Sequence, residues 1–478
     1  MKDYVSRVRY QASGWFGFLD ALEGRPSFAR WRFSLRGTAV RLFFTCWLVY
    51  ALHFATNTVR EIYPALSLGD HLSFDVSEYV GLHSDIFEMP GRGAFINNNP
   101  GASILGAVPY ALARPLIDPM VDAVQARRVA NPDAEAEYDT IYPLAQEFLK
   151  EARARGFDVK FGLGAAAMQM GLMAPMSALS VVVMFLLLAS LTLDTRRALG
   201  LALLYAFATP IFYRTAQLNH NLLQAHFALF ALALVWRPWD VEGARGRPRW
   251  LLAGFLAGYT VVLDYSGMIL AAGLGLYAIV RWRALPPSSR SQWDVPRCVL
   301  GGALAVAILL AYQWTAFGNP IFPAQSYMPA TRLSPRGYNG MDWPRLDLLL
   351  INAFGLRFGL FVAAPLLLGA LVVPRRRRWL ARRETWLVLL LTLAFFLFTA
   401  ANQFSRLQFN SGVRHMVPVV PFLFLLAAGV WPERPSKLAL AAGLASIYWS
   451  WCQAMYRDVE QGIGIPDALI RITFEGFQ

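Results

Sequence analysis

Charged residues are scarce in this sequence of 478 residues. They make up 16% of the chain, whereas soluble domains carry about 25%. Hydrophobic residues make up 56%, and the runs 165–193 and 385–401 are almost continuously apolar. A helix of about 20 such residues spans a hydrocarbon core of roughly 30 Å. The shortage of charge therefore predicts an all-α polytopic membrane protein and excludes a soluble enzyme.

Several chemical signals are also missing. Three cysteines, Cys46, Cys298 and Cys452, form no CxxC or Cys/His spacing, so we expect neither a zinc site nor a disulfide framework. No glycine-rich phosphate loop is present, which argues against a nucleotide site. Residues 1–37 lack the short apolar core and cleavage site of a signal peptide. They are basic and partly amphipathic, and we expect them to lie on the cytoplasmic membrane surface.

The positive charges are unevenly distributed along the chain. The net charge is +13, and one block, 375–383, contains six arginines between two apolar runs. Such blocks are retained on the cytoplasmic side, so they indicate topology, and we expect no nucleic-acid partner. The segments predicted to lie inside hold 25 of the 44 Lys and Arg residues. These segments are 1–37, 193–197, 237–249, 281–297, 374–384 and 432–437.

With those segments inside, the positive-inside rule predicts a transmembrane domain over 38–452 with eleven crossings. The N-terminus lies inside, and the tail 453–478 lies outside. The predicted spans are 38–56, 163–192, 198–214, 220–236, 250–263, 266–281, 298–317, 352–373, 385–401, 415–431 and 437–452.

Two segments decide this count. The apolar run 100–117 has about 14 residues before Arg114, too short to cross, so we expect a re-entrant or interfacial element. The segment 250–282 has arginines at both ends, and one helix would place them on opposite sides. We therefore expect two short helices joined by a turn at 263–267.

The first outer loop, 57–160, is the largest and most acidic part of the chain outside the spans. It holds 15 of the 31 Asp and Glu residues against 9 Lys and Arg. Its second half predicts two amphipathic helices around the NPD turn at 131–133. The segments 318–351 and 402–414 are the other predicted outer loops.

The acidic stretch 60–87 supplies candidates for a general base, because a carboxylate can take a proton from an acceptor hydroxyl. The alternatives are an interfacial ion pair at the end of span one, or a solvated acidic surface. The candidate catalytic residues are Glu61, Asp70, Asp75 and Asp85.

Cationic and polar residues in the other predicted outer segments complete the candidate site. Arginine and histidine bind phosphate, although at span ends they also lie at the membrane interface. The candidate phosphate-binding residues are Arg60, Arg357, Arg414 and His415. The candidate substrate-binding residues are Asn97, Asn98, Asn99, Asp264 and His220. For the three asparagines a simple turn is the alternative.

Four motifs in this order resemble the GT-C superfamily of membrane glycosyltransferases, in a bacterial branch similar to protein mannosyltransferase-like proteins. They are INNNPGASILGAVPYAL (96–112), FGNPIFPAQSY (317–327), FGLRFGLFVAAPLLL (354–368) and SGVRHMVPVVPFLF (411–424). The resemblance covers roughly residues 40–430. It implies a GT-C-like fold with a large first extracytoplasmic loop in the bacterial cytoplasmic (inner) membrane. It also implies sugar transfer from a polyprenyl-phosphate donor to a lipid, glycan or protein acceptor.

The sequence departs from that family at one important point. Such transferases usually carry an Asp, often Asp-Glu, directly after span one, where this chain has Arg60 and Glu61. Glu61 is then the expected base, with Asp70, Asp75 and Asp85 as alternatives. A non-catalytic subunit or lipid-binding scaffold with the same fold is the second hypothesis, and a transporter or flippase is the third. We expect no cofactor, with a divalent metal on carboxylate oxygens as the alternative.

Overall fold

The computed structural model describes residues 35–53, 59–131, 143–238, 249–376, 379–406, 413–431, 435–455, 469–470 and 473–474. The chain is mostly helical in these ranges. The first helices are α1 (Leu35–Leu52), α2 (Ile62–His71), α3 (Gly101–Ala130), α4 (Pro143–Ala154), α5 (Asp158–Thr192), α6 (Thr195–Phe207), α7 (Ile211–Arg214) and α8 (His220–Trp236). They are followed by α9 (Trp250–Leu263), α10 (Gly267–Ala284), α11 (Asp294–Phe317), α12 (Leu346–Phe354), α13 (Leu360–Ala363), α14 (Gly369–Arg376), α15 (Arg382–Ala401), α16 (Val417–Val430) and α17 (Lys437–Met455).

Five of the described helices are long and apolar enough to cross a membrane, by length and composition: α1, α3, α5, α11 and α15. The apolar helices α8, α9 and α16 are shorter. The chain is therefore a helical membrane protein, as predicted. Most of the N-terminal segment 1–37 and of the tail 453–478 lies outside the described residues.

Helix α8 forms the centre of the bundle, because every one of its 17 residues is buried. A helix that is apolar on all sides has no face for water and belongs in an interior. It packs against α5, α9, α10 and α16. The helix begins at His220 and is capped by the Asn219 side chain, which accepts a hydrogen bond from the Leu222 N–H. The first turn of α8 is thus fixed inside the protein.

The predicted helical hairpin over 250–282 is confirmed. Helices α9 and α10 are separated by the turn Asp264–Ser266 and pack against each other. Helix α9 also lies close against α11, and a Cβ at Gly254 or Gly301 would overlap a backbone carbonyl of the facing helix. Small residues of this kind permit close helix approach in membranes. The Asp264 turn is therefore supported by two packed neighbours.

The prediction that the element at 100–117 is too short to cross a membrane is wrong, because the helix that contains it is long and apolar enough to do so. Helix α3 continues without interruption for 30 residues, through three internal prolines, to Ala130. The apolar pattern ends at Arg114, but that side chain forms ion pairs with Asp70 and Asp118, which allow a charged residue within the helix. The first predicted amphipathic helix is thus the second half of α3. The second corresponds to α4, and most of the NPD turn lies outside the described ranges.

The predicted single span over 352–373 is also wrong. Helix α12 ends at Phe354, and the chain continues through the short helix α13 and a 3₁₀ turn at Pro365–Leu368 before α14 begins. Gly355, Gly359 and Pro365 lie at the breaks. Glycine and proline are poor in helix interiors, because glycine gains no side-chain stabilisation and proline lacks the N–H.

The loops predicted to lie outside meet at one end of the bundle. The first loop contains a short antiparallel hairpin, β1 (Ile86–Met89) and β2 (Gly93–Ile96), which the all-α prediction did not include. The Gln325 side chain donates to the Asn97 carbonyl, and the Gln403 N–H donates to the Gly340 carbonyl. Three loops distant in sequence therefore form one surface.

Candidate functional site

A buried carboxylate and a buried imidazole lie at the centre of this end of the bundle. Glu61 is 4% exposed, and its Oε1 lies 2.5 Å from Nδ1 of His220. Burial raises the pKa of Glu61, but the hydrogen bond from His220 and the charge of Arg60 outweigh it and lower the pKa to about 2. Because the carboxylate is ionised, the imidazole donates the hydrogen bond. His220 is thereby held in one orientation.

Arg60 joins three segments of the first loop around Glu61. Its Nη1 donates to Oδ2 of Asp85 at 3.0 Å and to Oδ1 of Asn97 at 3.1 Å, and its Nε lies 4.0 Å from Glu61 Oε1. Burial opposes its charge, but the neighbouring Glu61 and Asp85 raise the pKa of Arg60. The predicted interfacial anchor is therefore an internal contact that connects α2 to the β-hairpin.

Asp264 reaches the same cluster from the turn between α9 and α10. Its Oδ1 accepts hydrogen bonds from the N–H and hydroxyl of Ser266, at 2.9 and 2.6 Å. Its Oδ2 lies 4.0 Å from Nε2 of His220, on the opposite side of the ring from Glu61. The imidazole is thus flanked by two carboxylates.

Two further arginines lie within electrostatic range of this group. Arg414 interacts with Glu61, Asp264 and Arg60, and Arg214 interacts with Glu61 and Arg414. Burial and repulsion from Arg60 lower the pKa of Arg414 to about 10. Three cations have been brought together in a largely buried volume, where repulsion is weakly screened. Such an arrangement favours the binding of an anion.

The N-termini of three helices also favour an anion at the cluster. Glu61 is the N-cap of α2, and His220 is the first residue of α8. Helix α3 begins directly after the Asn97–Asn99 run, and Ser103 in its first turn donates to the Glu61 carbonyl at 2.8 Å. Helix N-termini carry partial positive charge and stabilise carboxylates and phosphates. The cluster therefore lies where three such ends meet.

Asp70 lies outside the cluster and has a structural environment. It accepts from Tyr110 at 3.0 Å and pairs with Arg114 at 3.2 Å and Lys160 at 2.6 Å. Asp70, His71 and Glu78 form the one described group whose ligand atoms are close enough together for a metal ion. The cations already on Asp70 compete with a metal, so these residues fit one poorly.

Asp75 organises its own loop. It accepts from the Ser77 N–H and hydroxyl and from the Ala94 N–H, and these bonds outweigh burial and lower its pKa. Gly93, at φ +109°, faces its carboxylate so closely that a Cβ would lie 2.6 Å away. The carboxylate is therefore occupied by the loop that it stabilises.

Of the remaining predicted residues, Asn98 and Asn99 are buried, whereas Arg357 lies on the surface. Asn99 donates to the Val261 carbonyl at 2.8 Å and so fastens α3 to α9, and Asn98 is buried beside it. Arg357 is exposed, with its guanidinium 5.4 Å from the Phe358 ring. His415 is half-buried next to Arg414. The structure thus unites Arg60, Glu61, Asp85, Asn97, His220, Asp264 and Arg414, but not Asp70, Asp75 or Arg357.

Three members of the site are absent from the sequence-based candidates. Arg214 carries a charge within the apolar run before α8, which is itself a signal of function in a membrane protein. Gln224 lies four residues after His220 and therefore on the same helix face, and it contacts the Asp264 turn. Ser266 is separated from Asp264 by one residue, the usual spacing for a side chain that closes a turn.

Comparison of the chain with protein-family models, with curated proteins and with solved structures finds no match. The function of this chain is therefore inferred from the geometry of the cluster and from the four sequence motifs that resemble the GT-C superfamily.

Proposed function

We propose that the protein is a membrane glycosyltransferase of GT-C type. It transfers a sugar from a polyprenyl-phosphate donor to a lipid, glycan or protein acceptor at the extracytoplasmic face of a bacterial inner membrane. The eleven-span topology, with the N-terminus in the cytoplasm, belongs to this proposal. The observation that carries it is the gathering of Arg60, Arg214 and Arg414 around Glu61 and His220.

The arginines suit the donor phosphate. Arginine binds phosphate through several N–H donors at once, and a desolvated site strengthens each charge-assisted bond. When the glycosidic bond breaks, negative charge develops on the phosphate that leaves. Fixed cations stabilise that charge without having to reorganise during the reaction.

The acidic residues suit the other half of the reaction. An acceptor hydroxyl must lose its proton as it attacks the sugar, and a nearby carboxylate can take it. Glu61, Asp85 and Asp264 are the carboxylates of the cluster, and His220 lies between two of them. Carboxylates that can accept a proton and arginines that can bind a phosphate therefore occur in one cluster.

A specific observation favours a second candidate, a subunit that binds a lipid phosphate without catalysis. Glu61 stands where the family base is expected, yet it is buried and engaged by His220. If no other carboxylate serves as the base, the same cluster would bind the donor and leave it unchanged.

Purified protein in lipid nanodiscs distinguishes these functions. We would supply a panel of labelled polyprenyl-phosphate sugars, with a bacterial membrane extract as the source of acceptor hydroxyls, and measure sugar release from the donor. We would also measure the thermal shift produced by polyprenyl phosphate and by the uncharged polyprenol. The transferase proposal expects release, and a shift with the phosphate only. A shift without release supports the non-catalytic subunit, and neither effect refutes both.

The matched variants are Arg414→Met and Arg332→Met. Arg332 is exposed in the predicted outer loop 318–351, so its loss controls for the removal of one positive charge. We expect Arg414→Met to weaken phosphate binding by about tenfold or more, the value of one charge-assisted hydrogen bond. Equal affinities in the two variants would contradict the assignment of the arginine cluster.

A further inference from the structure

We propose that Asp264 is the catalytic base, and that Ser266 and Gln224 are its positioning residues. The inference rests on the proposed transferase function. It assigns the proton-accepting role to a carboxylate between α9 and α10, instead of to the acids that follow α1.

Two of the three carboxylates in the cluster are already engaged. Oε1 of Glu61 accepts from His220, and the residue is 4% exposed, which leaves an acceptor hydroxyl little access. Oδ2 of Asp85 accepts from the Arg60 guanidinium at 3.0 Å. A base must lie within hydrogen-bond reach of the proton that it takes. Glu61 therefore lacks access, and Asp85 is already paired directly with a cation.

Asp264 differs from Glu61 and Asp85 in both access and hydrogen bonding. Its side chain is 36% exposed, the largest value among these three acids. Both hydrogen bonds from Ser266 fall on Oδ1, while Oδ2 lies 4.0 Å from His220. One oxygen is therefore fixed by the turn, and the other lies toward His220 on a side chain that is partly exposed.

Gln224 holds this arrangement from the buried side. It is fully buried, and its Nε2 lies within hydrogen-bond distance of the Thr260 carbonyl at 3.0 Å, the Asp264 carbonyl at 3.1 Å and the Ser266 hydroxyl oxygen at 3.2 Å. Because the Ser266 hydroxyl is only 2.6 Å from Asp264 Oδ1, its proton points to that carboxylate. A single amide thus fixes both the backbone of the turn and the orientation of its hydroxyl.

The reaction balances with these groups. Oδ2 of Asp264 takes the proton of the acceptor hydroxyl while the acceptor oxygen forms a bond to the anomeric carbon of the sugar. The bond from that carbon to the donor phosphate oxygen breaks, and its electron pair leaves on the phosphate beside Arg60 and Arg414. Asp264 ends protonated and returns the proton to solvent. Glu61 acts as a positioning residue, because it fixes the ring of His220 opposite Asp264.

The test uses the full-length protein in nanodiscs with a polyprenyl-phosphate sugar that it turns over. We expect Asp264→Asn to lower kcat at least about a hundredfold, the usual value of a general base. Donor affinity should not fall, because the change removes a negative charge that interacts with Arg60 and Arg414. Asp264→Ala should regain activity with added formate, which replaces the missing carboxylate. Formate rescue also shows that the variant is folded.

The positioning residues give a second readout. Ser266→Ala should lower kcat about tenfold without a change in KM, and Ser266→Thr, which keeps the hydroxyl, should restore it. A Gln224→Met change should behave as Ser266→Ala does. A purely structural role would instead lower the amount of folded protein and leave kcat per folded molecule constant, and that result would overturn the positioning assignment.

The outcomes separate this inference from the proposed function. If the wild-type protein turns over donor and Asp264→Asn does so equally well, the base assignment is overturned and the transferase proposal stands. If the wild-type protein releases no sugar from any donor in the panel, the transferase proposal fails, and the inference fails with it.

Discussion

The substitution Glu61→Gln tests whether the cluster is held together by a buried charge. Glutamine keeps the size of the side chain and can still accept the hydrogen bond from His220, so the change removes little except the negative charge. In the wild-type protein that charge lies 2.5 Å from His220 and 4.0 Å from Arg60, within range of Arg414. The substitution leaves Arg60 and Arg414 with less compensating negative charge.

The loss of stability expected for Glu61→Gln follows from the pKa of Glu61. Its value of about 2, in place of the ordinary 4.5, corresponds to about 3 kcal/mol in favour of the charged form, at about 1.4 kcal/mol for each tenfold change. Removal of one partner from a buried ion pair generally costs about 3–5 kcal/mol, in agreement with the value obtained from the pKa. Because the pKa is lowered in the folded state, this stabilisation is present above pH 4.5 and is lost as the pH falls toward 2.

Thermal unfolding in detergent at neutral pH is the assay, with Glu88→Gln as the matched control. Glu88 is exposed on β1, and its change removes the same charge at the surface. We expect the Glu61→Gln variant to unfold several degrees lower than the control. Its unfolding temperature should also depend less on pH between 4.5 and 2 than that of the wild type. Indistinguishable melting curves for the two variants would refute the buried ion pair.

Two further substitutions test the scaffold around the site. Asp70→Asn removes the shared partner of Arg114 and Lys160 and should destabilise the protein by about 3 kcal/mol, measured by thermal unfolding, while EDTA leaves the wild type unchanged. Gly254→Ala should cost about 1–3 kcal/mol, because its Cβ overlaps α11, whereas Gly275→Ala, with no atom within 4 Å of its Cβ, should be neutral or stabilising. Equal stability of the two alanine variants would contradict the close packing of α9 and α11.

The positions of most helices could be predicted, because apolar runs are long and turns between them carry charge. The hairpin of α9 and α10 is the clearest success, since the two arginines at its ends could not lie on one side of a membrane if the helix were single. The same reasoning failed for α3. There, Arg114 interrupts the apolar run, but Asp70, distant in sequence, compensates its charge, and the helix continues.

The residues of the site could be predicted from the sequence better than the contacts that they make with one another. Counting acids in the outer loop singled out Glu61 and Asp85, but it could not separate them from Asp70 and Asp75. Whether a carboxylate faces a cluster, a loop N–H or a lysine depends on the tertiary arrangement of helices. Arg214 could have been recognised as a single charge within an apolar run, but the sequence does not show which carboxylates it would lie near.

The arrangement also explains why a chain so poor in charge concentrates acids near α1. Helices α2, α3 and α8 begin at the cluster, and their N-termini stabilise negative charge there. Carboxylates in turn allow arginines to lie in a largely buried volume, where each cation alone would be costly. The acids near α1 therefore allow the arginines to lie together, while the most exposed carboxylate of the cluster, Asp264, comes from the turn between α9 and α10. On this argument, an acid directly after the first span is dispensable as a base when another turn supplies one to the same point.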